Sequence, residues 1–146
     1  MWQRYQTLLL AVSTILVVSL FWCNVATVLL ADGSIEHIAY TAKPVFKIWL
    51  ILLTIMHVLA LGGYKWRMKQ IRVVIFTAIV TFAFQIWLLV YYLQTRDSQL
   101  MSWTALFPLL ACALDVYAAR NILMDEFLVQ SAKSVQRSKK QKKEKK

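Results

Sequence analysis

Two ionisable residues, His57 and Asp115, lie inside otherwise apolar stretches of the chain. Burial of a charge in lipid is costly, so an ionisable residue in a membrane-spanning segment is by default a functional hypothesis. A His–Asp pair near the edge of the hydrocarbon could relay protons or bind a cation. The alternative is structural: Asp115 reaches the interface or pairs with Arg72 or Arg120, while His57 bonds a backbone carbonyl.

No other arrangement of residues indicates chemistry. The sequence contains no Ser/His/Asp set, no metal-ligand spacing, no paired carboxylates and no glycine-rich phosphate loop. Cys23 and Cys112 form no CxxC motif and are expected to be buried apolar thiols. We therefore predict that the chain is not an enzyme. No catalytic residue, cofactor, metal site or small-molecule substrate is predicted.

The composition indicates a membrane protein. Of the 146 residues, 60% are hydrophobic and 16% are charged, whereas a soluble domain has roughly 45–50% apolar and about 25% charged residues. No stretch alternates with a period of two, which argues against a membrane barrel. A spanning helix needs about 20 mostly apolar residues, and four runs meet that requirement: residues 7–30, 45–61, 71–93 and 100–119.

Prolines and loop lengths refine these four spans. Pro44 directly precedes the second span, where its missing N–H costs nothing. Pro108 lies inside the fourth and is predicted to kink it and to free the carbonyl of Thr104. The first run is longer than the apolar part of a signal peptide, so an uncleaved anchor is expected. Residues 94–99 form a short connection, so the third and fourth helices should be antiparallel neighbours.

Uncharged polar residues within the runs are expected to join helices by hydrogen bonds rather than to line a pore. They are Thr14, Asn24, Thr54, Thr77, Thr81, Gln85 and Thr104.

Basic residues predict the orientation, because Lys and Arg concentrate in cytoplasmic loops. Arg4 precedes the first span, and four basic residues lie between the second and third: Lys65, Arg67, Lys69 and Arg72. Nine more follow the fourth span, beginning with Arg120. The opposite side has three: Lys43, Lys47 and Arg96. Both termini are therefore predicted to be cytoplasmic.

Three separated motifs resemble one family over essentially the whole chain. They are residues 1–7 (MWQRYQT), residues 64–72 (YKWRMKQIR), and the spaced set Arg120, Ile122, Asp125, Glu126, Leu128, Val129 and Ser131. In these motifs the chain resembles the membrane family called domain of unknown function 4293. The resemblance implies a four-span inner-membrane protein of bacteria and implies no activity. Asp115 departs from the pattern, since an apolar residue is expected there.

The segment after the fourth span is predicted to remain helical over residues 120–137, because Met124, Leu128, Ala132 and Val135 form one apolar stripe. This amphipathic helix either lies along the interface or covers a partner. Alternatively it extends the fourth helix, with Asp125 and Glu126 facing Arg67 and Arg72.

Residues 138–146 lack apolar side chains and contain six lysines, so a disordered tail is predicted. Basic residues near a membrane attract anionic headgroups, and those predicted to bind lipid or a partner are Arg67, Arg72, Lys139, Lys140, Lys142, Lys143, Lys145 and Lys146. Contact of the tail with nucleic acid or ribosomes is a less favoured alternative, because no aromatic residues are interleaved for base stacking.

Together these features predict an all-α fold: a four-helix transmembrane bundle with a C-terminal amphipathic helix and a disordered basic tail. The favoured function is a structural or accessory role through contacts with the lipid bilayer, anionic lipid headgroups and an unidentified membrane protein partner. The alternative is a small transporter or proton-coupled carrier that uses His57 and Asp115.

Overall fold

The computed structural model describes residues 2–30, 33–63 and 67–144. Its helices are α1 (Trp2–Ser19), α2 (Pro44–Gly62), α3 (Arg67–Thr95) and α4 (Phe107–Glu144). Its strands are β1 (Asn24–Leu29), β2 (Ile35–Ala39) and β3 (Leu100–Met101). Short 3₁₀ turns cover Leu20–Trp22, Tyr40–Ala42 and Trp103–Leu106. As predicted, four helices within these described residues are long and apolar enough to cross a membrane.

The four helices pack in a ring. Helix α1 contacts α2 and α4, and helix α3 contacts the same two, so α2 and α4 lie diagonally opposite. The three strands lie where α1 and α3 end and where α2 and α4 begin, and we call this the sheet end of the bundle. The opposite end, where α1 begins and from which α4 runs on, is the terminal end.

The strands form one antiparallel sheet in the order β2–β1–β3. In the turn between β1 and β2, Gly33 has a φ of 81°, which favours glycine, and its N–H donates to the Leu30 carbonyl. The prediction of an all-α fold is therefore wrong in this part, because the fold is mostly helical but contains a small sheet.

The predicted first span, residues 7–30, is also too long. Helix α1 ends at Ser19, and residues 24–29 form the central strand. The β-branched residues Val25, Thr27 and Val28 favour a strand, and pairing with β2 and β3 satisfies their backbone. The apolar-run criterion does not distinguish such a strand from the last turns of a helix.

Pro108 does not kink the fourth helix. It is the second residue of α4, in the first turn, where the missing N–H costs no intrahelical bond. The Thr104 carbonyl is not freed either, since it accepts a hydrogen bond from the backbone N–H of Phe107. The 3₁₀ turn before α4 thus replaces the kink that the sequence predicts.

Helix α4 continues without interruption to Glu144. At 1.5 Å per residue its 38 residues extend about 57 Å, well beyond a hydrocarbon core of about 30 Å. The segment predicted as an amphipathic helix is thus a direct extension of α4. The structure continues α4 over residues 138–144, where the sequence predicts a disordered tail. Lys, Gln and Glu are good helix formers, and a helix that already exists propagates at little cost. Residues 145 and 146 lie outside the described residues.

The carboxylates after the fourth span do not form the predicted pairs with Arg72. Asp125 accepts a hydrogen bond from Gln6 Nε2 of α1 at 3.2 Å. Glu126 accepts one from Gln130 Nε2 in its own helix at 3.3 Å. The side chain of Arg67 lies outside the described part of the chain. Asp125 therefore ties α4 to α1 at the terminal end.

Several contacts hold the sheet end together. The Thr104 hydroxyl donates to the Asn24 carbonyl at 2.7 Å, and the Ser102 N–H donates to the Val25 carbonyl at 3.0 Å. Both bonds join the segment before α4 to strand β1. The connection between α1 and α2 is therefore attached to the connection between α3 and α4.

Candidate functional site

Three polar side chains meet at the centre of the helix ring: Ser13 of α1, His57 of α2 and Asp115 of α4. We call them the buried polar cluster. All three are fully or almost fully buried, with exposed fractions of 0%, 1% and 0%. Each lies in a regular helix within an apolar run, so the helices place the three side chains at one level of the bundle. The cluster joins α2 and α4 across the diagonal of the ring.

The distance between His57 Nε2 and Asp115 Oδ2 is 3.1 Å. The structure thus brings together the two ionisable residues that the sequence singles out. Asp115 is enclosed in the bundle, and in the described structure its ion-pair partner is His57 rather than Arg72 or Arg120. One part of the structural alternative is right, since His57 also bonds the backbone carbonyl of Leu53 through Nδ1 at 2.8 Å.

The hydrogen-bond partners of His57 indicate which of its two ring nitrogens carry a hydrogen. A carbonyl only accepts, so Nδ1 carries a hydrogen that it donates to Leu53. The Ser13 hydroxyl donates to the Ala111 carbonyl at 3.3 Å, so its oxygen is left to accept from Nε2, which lies 3.1 Å away. This assignment rests on the partners rather than on observed hydrogens. It makes both ring nitrogens donors, as in an imidazolium.

Asp115 is less well satisfied. Neither carboxylate oxygen has a hydrogen bond of good geometry from any described residue, although Oδ2 lies within ion-pair distance of His57. A buried carboxylate without hydrogen bonds is costly unless a nearby cation or a proton neutralises it. An imidazolium at His57 would supply that charge, and the pair would then be neutral with one proton in addition to the one on Nδ1.

Helix α3 carries two buried alcohols, Thr77 and Thr81. Each hydroxyl donates to a carbonyl one turn earlier in α3, at 2.8 Å in both cases. The Thr77 hydroxyl also lies 3.5 Å from the carbonyl of Met56, the residue before His57. Thr77 fits the prediction that polar residues in the spans join helices, because it contacts both α3 and α2. Thr81 does not, since its hydroxyl bonds only within α3.

Apolar layers enclose the cluster on both sides. Towards the sheet end lies a cluster of large side chains that includes Leu20, Phe46, Leu53, Phe84 and Leu88. Towards the terminal end lies a second cluster with smaller members, which includes Leu10, Ala60, Val74, Ala118 and Ile122. The polar cluster therefore lies in a low-dielectric environment, in which charge interactions are strong.

Ser13 was not predicted from the sequence as a site residue. Its one signal there is a small hydroxyl residue in an apolar run, and the neighbouring Thr14 gives the same signal. Thr14 instead donates to the Leu10 carbonyl of its own helix. The sequence does not show which of the two hydroxyls points into the ring.

The other predicted site residues lie away from the buried polar cluster. Arg72 is exposed near the start of α3. Arg67 begins α3, and Lys139, Lys140, Lys142 and Lys143 lie on the last turns of α4, with side chains outside the described part. Lys145 and Lys146 lie outside the described residues altogether. Cys23 and Cys112 are free and half-buried, so the prediction of buried thiols holds only in part.

Within residues 2–30, 33–63 and 67–144, no group of three or more His, Cys, Asp or Glu side chains is arranged to hold a metal ion.

Comparison with proteins of curated function finds no match, and neither does comparison with solved structures. A family model described as domain of unknown function (DUF4293) matches residues 2–134. The match covers most of the chain and includes α1, α2, α3, the part of α4 up to residue 134, and the buried polar cluster. This chain therefore belongs to the DUF4293 family.

Proposed function

We propose that this chain is a proton-coupled membrane protein in which the His57–Asp115 pair takes up and releases one proton. The observation that carries the proposal is the 3.1 Å contact between His57 Nε2 and Asp115 Oδ2, made by residues that are 1% and 0% exposed. An ionisable pair within the spanning part of a bundle is characteristic of proton relays. The carrier, which is the less favoured alternative from the sequence alone, gains support from this contact.

The energetics favour a functional pair over a structural one. Apolar residues of similar volume often stabilise a protein interior as well as a buried ion pair does, or better. A pair that served only stability would be expected to satisfy its carboxylate with hydrogen bonds, whereas both oxygens of Asp115 lack one among the described residues. The carboxylate is therefore held in place by one partner, which suits a group that exchanges a proton.

The proton balance is simple. With the proton, the pair is an imidazolium and a carboxylate, with no net charge. Release leaves a neutral imidazole with its hydrogen on Nδ1 and an unneutralised carboxylate in an apolar environment. That state is unfavourable in the closed bundle, so release requires water to reach the pair. Proton exchange is thereby coupled to a rearrangement of α1, α2 and α4.

Nitrogen NMR of the histidine rings tests the protonation state. With His37→Gln as the background, His57 is the single imidazole in the chain. We expect both ring nitrogens to carry hydrogen in this background. In Asp115→Asn, one proton should be lost and the Nδ1–H tautomer should remain. An unprotonated Nε2 with and without the Asp115 carboxylate would contradict the proposal.

Proton movement can be measured in liposomes that contain the full chain and a pH-sensitive dye. An imposed pH gradient should decay faster than in empty liposomes, and Asp115→Asn should abolish the difference. Asp97→Asn is the matched control, because Asp97 is 97% exposed and pairs only with the neighbouring Arg96 among described side chains. Equal decay of the pH gradient with wild type and with Asp115→Asn would mean that the His57–Asp115 pair does not exchange a proton. It would then favour the second candidate below.

We also propose that the protein lies in the bacterial inner membrane with both termini in the cytoplasm. The support is the concentration of basic residues at the terminal end and after α4. Reporter fusions at Gly33, Lys69, Asp97 and Lys146 test the orientation. Cytoplasmic signals are expected at Lys69 and Lys146 and external ones at the other two positions.

The second candidate is an accessory protein that binds another membrane protein and anionic headgroups. The observation in its favour is the exposed apolar stripe of α4 beyond the bundle, formed by Met124, Leu128 and Val135. Site-specific crosslinking from Leu128 in intact membranes tests it. A constant crosslinked partner that is lost in Met124→Gln would support this role, and crosslinks to lipid alone would oppose it. Crosslinks to RNA would point to the less favoured ribosome or nucleic-acid contact.

A further inference from the structure

A long apolar groove runs along the outside of the bundle where α3 packs against α4. Its volume is about 560 Å³, within the range of about 300–1,000 Å³ that is typical of small-ligand sites. Buried Ala78 and Ala119 form part of its floor, and the larger exposed side chains of Ile79, Phe82 and Val116 form its sides. The groove exists because small residues line the contact between the two helices.

Along α4 the groove is about as long as one leaflet of a bilayer is thick, and along α3 its lining is shorter, from Ile75 to Phe82. On α4 its lining extends from Cys112 to Leu123. Eleven residues of helix rise about 16 Å, and half of a hydrocarbon core of about 30 Å is about 15 Å. The groove lies in the half of the bundle nearest the terminal end. One extended acyl chain from that leaflet therefore fits its length.

One lining residue is positively charged: Arg120, one turn of α4 before Leu123, which is the lining residue nearest the terminal end. Arg120 is the one basic residue in the lining, and the lining is otherwise almost entirely apolar, so Arg120 contributes mainly its aliphatic stem. No carboxylate among the described side chains lies within ion-pair distance of its guanidinium. On α3, exposed Arg72 lies one turn before Ile75, which also lines the groove.

We propose that this groove binds one acyl chain of an anionic phospholipid, with the lipid phosphate held by Arg120 and Arg72. A guanidinium suits a phosphate because its planar donors can bond two oxygens at once. The apolar length selects an acyl chain, and the two arginines select an anionic headgroup. This site is separate from the buried polar cluster and from the lysine-rich end of α4.

Native mass spectrometry of the full chain in mild detergent tests the proposal. The protein is incubated with phosphatidylglycerol, with phosphatidylcholine of the same acyl chains, or with palmitate. We expect one phosphatidylglycerol to be retained per chain in preference to phosphatidylcholine. Equal retention of the two phospholipids would overturn the proposal. Displacement of phosphatidylglycerol by an equal concentration of palmitate would overturn it as well, since the occupant would then be a fatty acid.

Arg120→Gln should weaken retention of phosphatidylglycerol about five-fold, the factor that corresponds to about 1 kcal/mol per basic residue near anionic lipid. Lys133→Gln is the matched control: it removes one charge from the same helix, about 20 Å further along, beyond a Debye length of about 8 Å. Retention of phosphatidylglycerol by Lys133→Gln should equal that of the wild type. Equal losses in the two variants would indicate non-specific attraction and contradict the site.

A second pair of variants tests the apolar part. Val116→Phe should fill the groove from its exposed side and lower retention of either phospholipid. Ile15→Phe enlarges an exposed residue on α1, away from the groove, and should leave retention unchanged. Unchanged retention in Val116→Phe would show that the lipid lies elsewhere. If Val116→Phe does not fold, the comparison of Arg120→Gln with Lys133→Gln still decides.

Discussion

Ser13 on α1 lies against His57 on α2, with 3.1 Å between the serine Oγ and the imidazole Nε2. The same hydroxyl donates to the Ala111 carbonyl of α4 at 3.3 Å. One small side chain thus connects three helices and orients the ring of the histidine. A hydroxyl that bonds only within its own helix has no such effect.

Ser13→Ala is expected to destabilise the bundle by about 1–3 kcal/mol, because it removes two buried hydrogen bonds between helices, one to His57 and one to Ala111. Ser19→Ala is the control, since the Ser19 hydroxyl donates to the Leu16 carbonyl of its own helix. Its cost should be smaller. Reversible unfolding in mixed micelles, followed by helical circular dichroism, measures both. Equal costs would show that the contacts of Ser13 between helices contribute little.

His57→Phe alone should cost about 3–5 kcal/mol, because it leaves the Asp115 carboxylate buried without a cation. The double variant His57→Phe/Asp115→Leu should lose clearly less, since no charge remains. Unfolding of the wild type, both single variants and the double variant gives the interaction free energy by a double-mutant cycle. Additive losses would mean that the two residues act independently despite their 3.1 Å contact.

Tyr91→Phe should weaken the attachment between the start of α2 and the end of α3. The Tyr91 hydroxyl accepts a hydrogen bond from Lys43 Nζ at 2.8 Å and donates one to Gln99 Oε1 at 2.7 Å. Its ring packs edge-on against Phe46, a contact that phenylalanine retains. We expect a loss of about 1–2 kcal/mol in unfolding experiments.

Tyr92→Phe, at the exposed neighbouring position, is the control for Tyr91→Phe and should change stability by less than about 0.5 kcal/mol. A larger effect at Tyr92 than at Tyr91 would contradict this account.

The raised pKa of Tyr40 leads us to expect a lower free energy of unfolding at high pH. It lies in the turn before α2, outside the spanning segments, and burial raises the pKa of its phenol from 10.0 to about 12. An unfolded chain loses this proton near pH 10, whereas the folded chain keeps it to about pH 12. The stability present below pH 10 should therefore fall as the pH rises through this window, by about 3 kcal/mol in total.

Tyr40→Phe should remove that part of the pH dependence while the other tyrosines contribute as before. The measurement is the unfolding free energy of both proteins on either side of pH 10. Parallel pH profiles for wild type and Tyr40→Phe would contradict the raised pKa.

The sequence identifies His57 and Asp115 because a charged or titratable residue in an apolar run is a local signal. It does not show that the two residues touch, since that depends on the order of the helices in the ring. The contribution of Ser13 depends on the same order. Contacts between helices are set by packing over the whole bundle, and no spacing along one helix encodes them.

The errors at the sheet end have a different cause. Residues 24–29 are as apolar as the helix before them, so the criterion of a continuous apolar run predicts one span over both. The content of β-branched residues at Val25, Thr27 and Val28 was the available signal. Pro108 was misplaced for a related reason, since the fourth helix begins seven residues later than predicted, at Phe107 rather than at Leu100.

Because β1 pairs with both β2 and β3, the two ends of the bundle are held together by different kinds of contact. At the sheet end, backbone hydrogen bonds join the α1–α2 connection to the α3–α4 connection, and bulky rings such as Phe46 and Phe84 pack beneath them. Between His57 and the terminal end, the apolar layer includes the small side chains of Ala60 and Ala118. We therefore expect the helices to separate more readily at the terminal end than at the sheet end. On this expectation, water would reach His57 and Asp115 from the side that carries both termini.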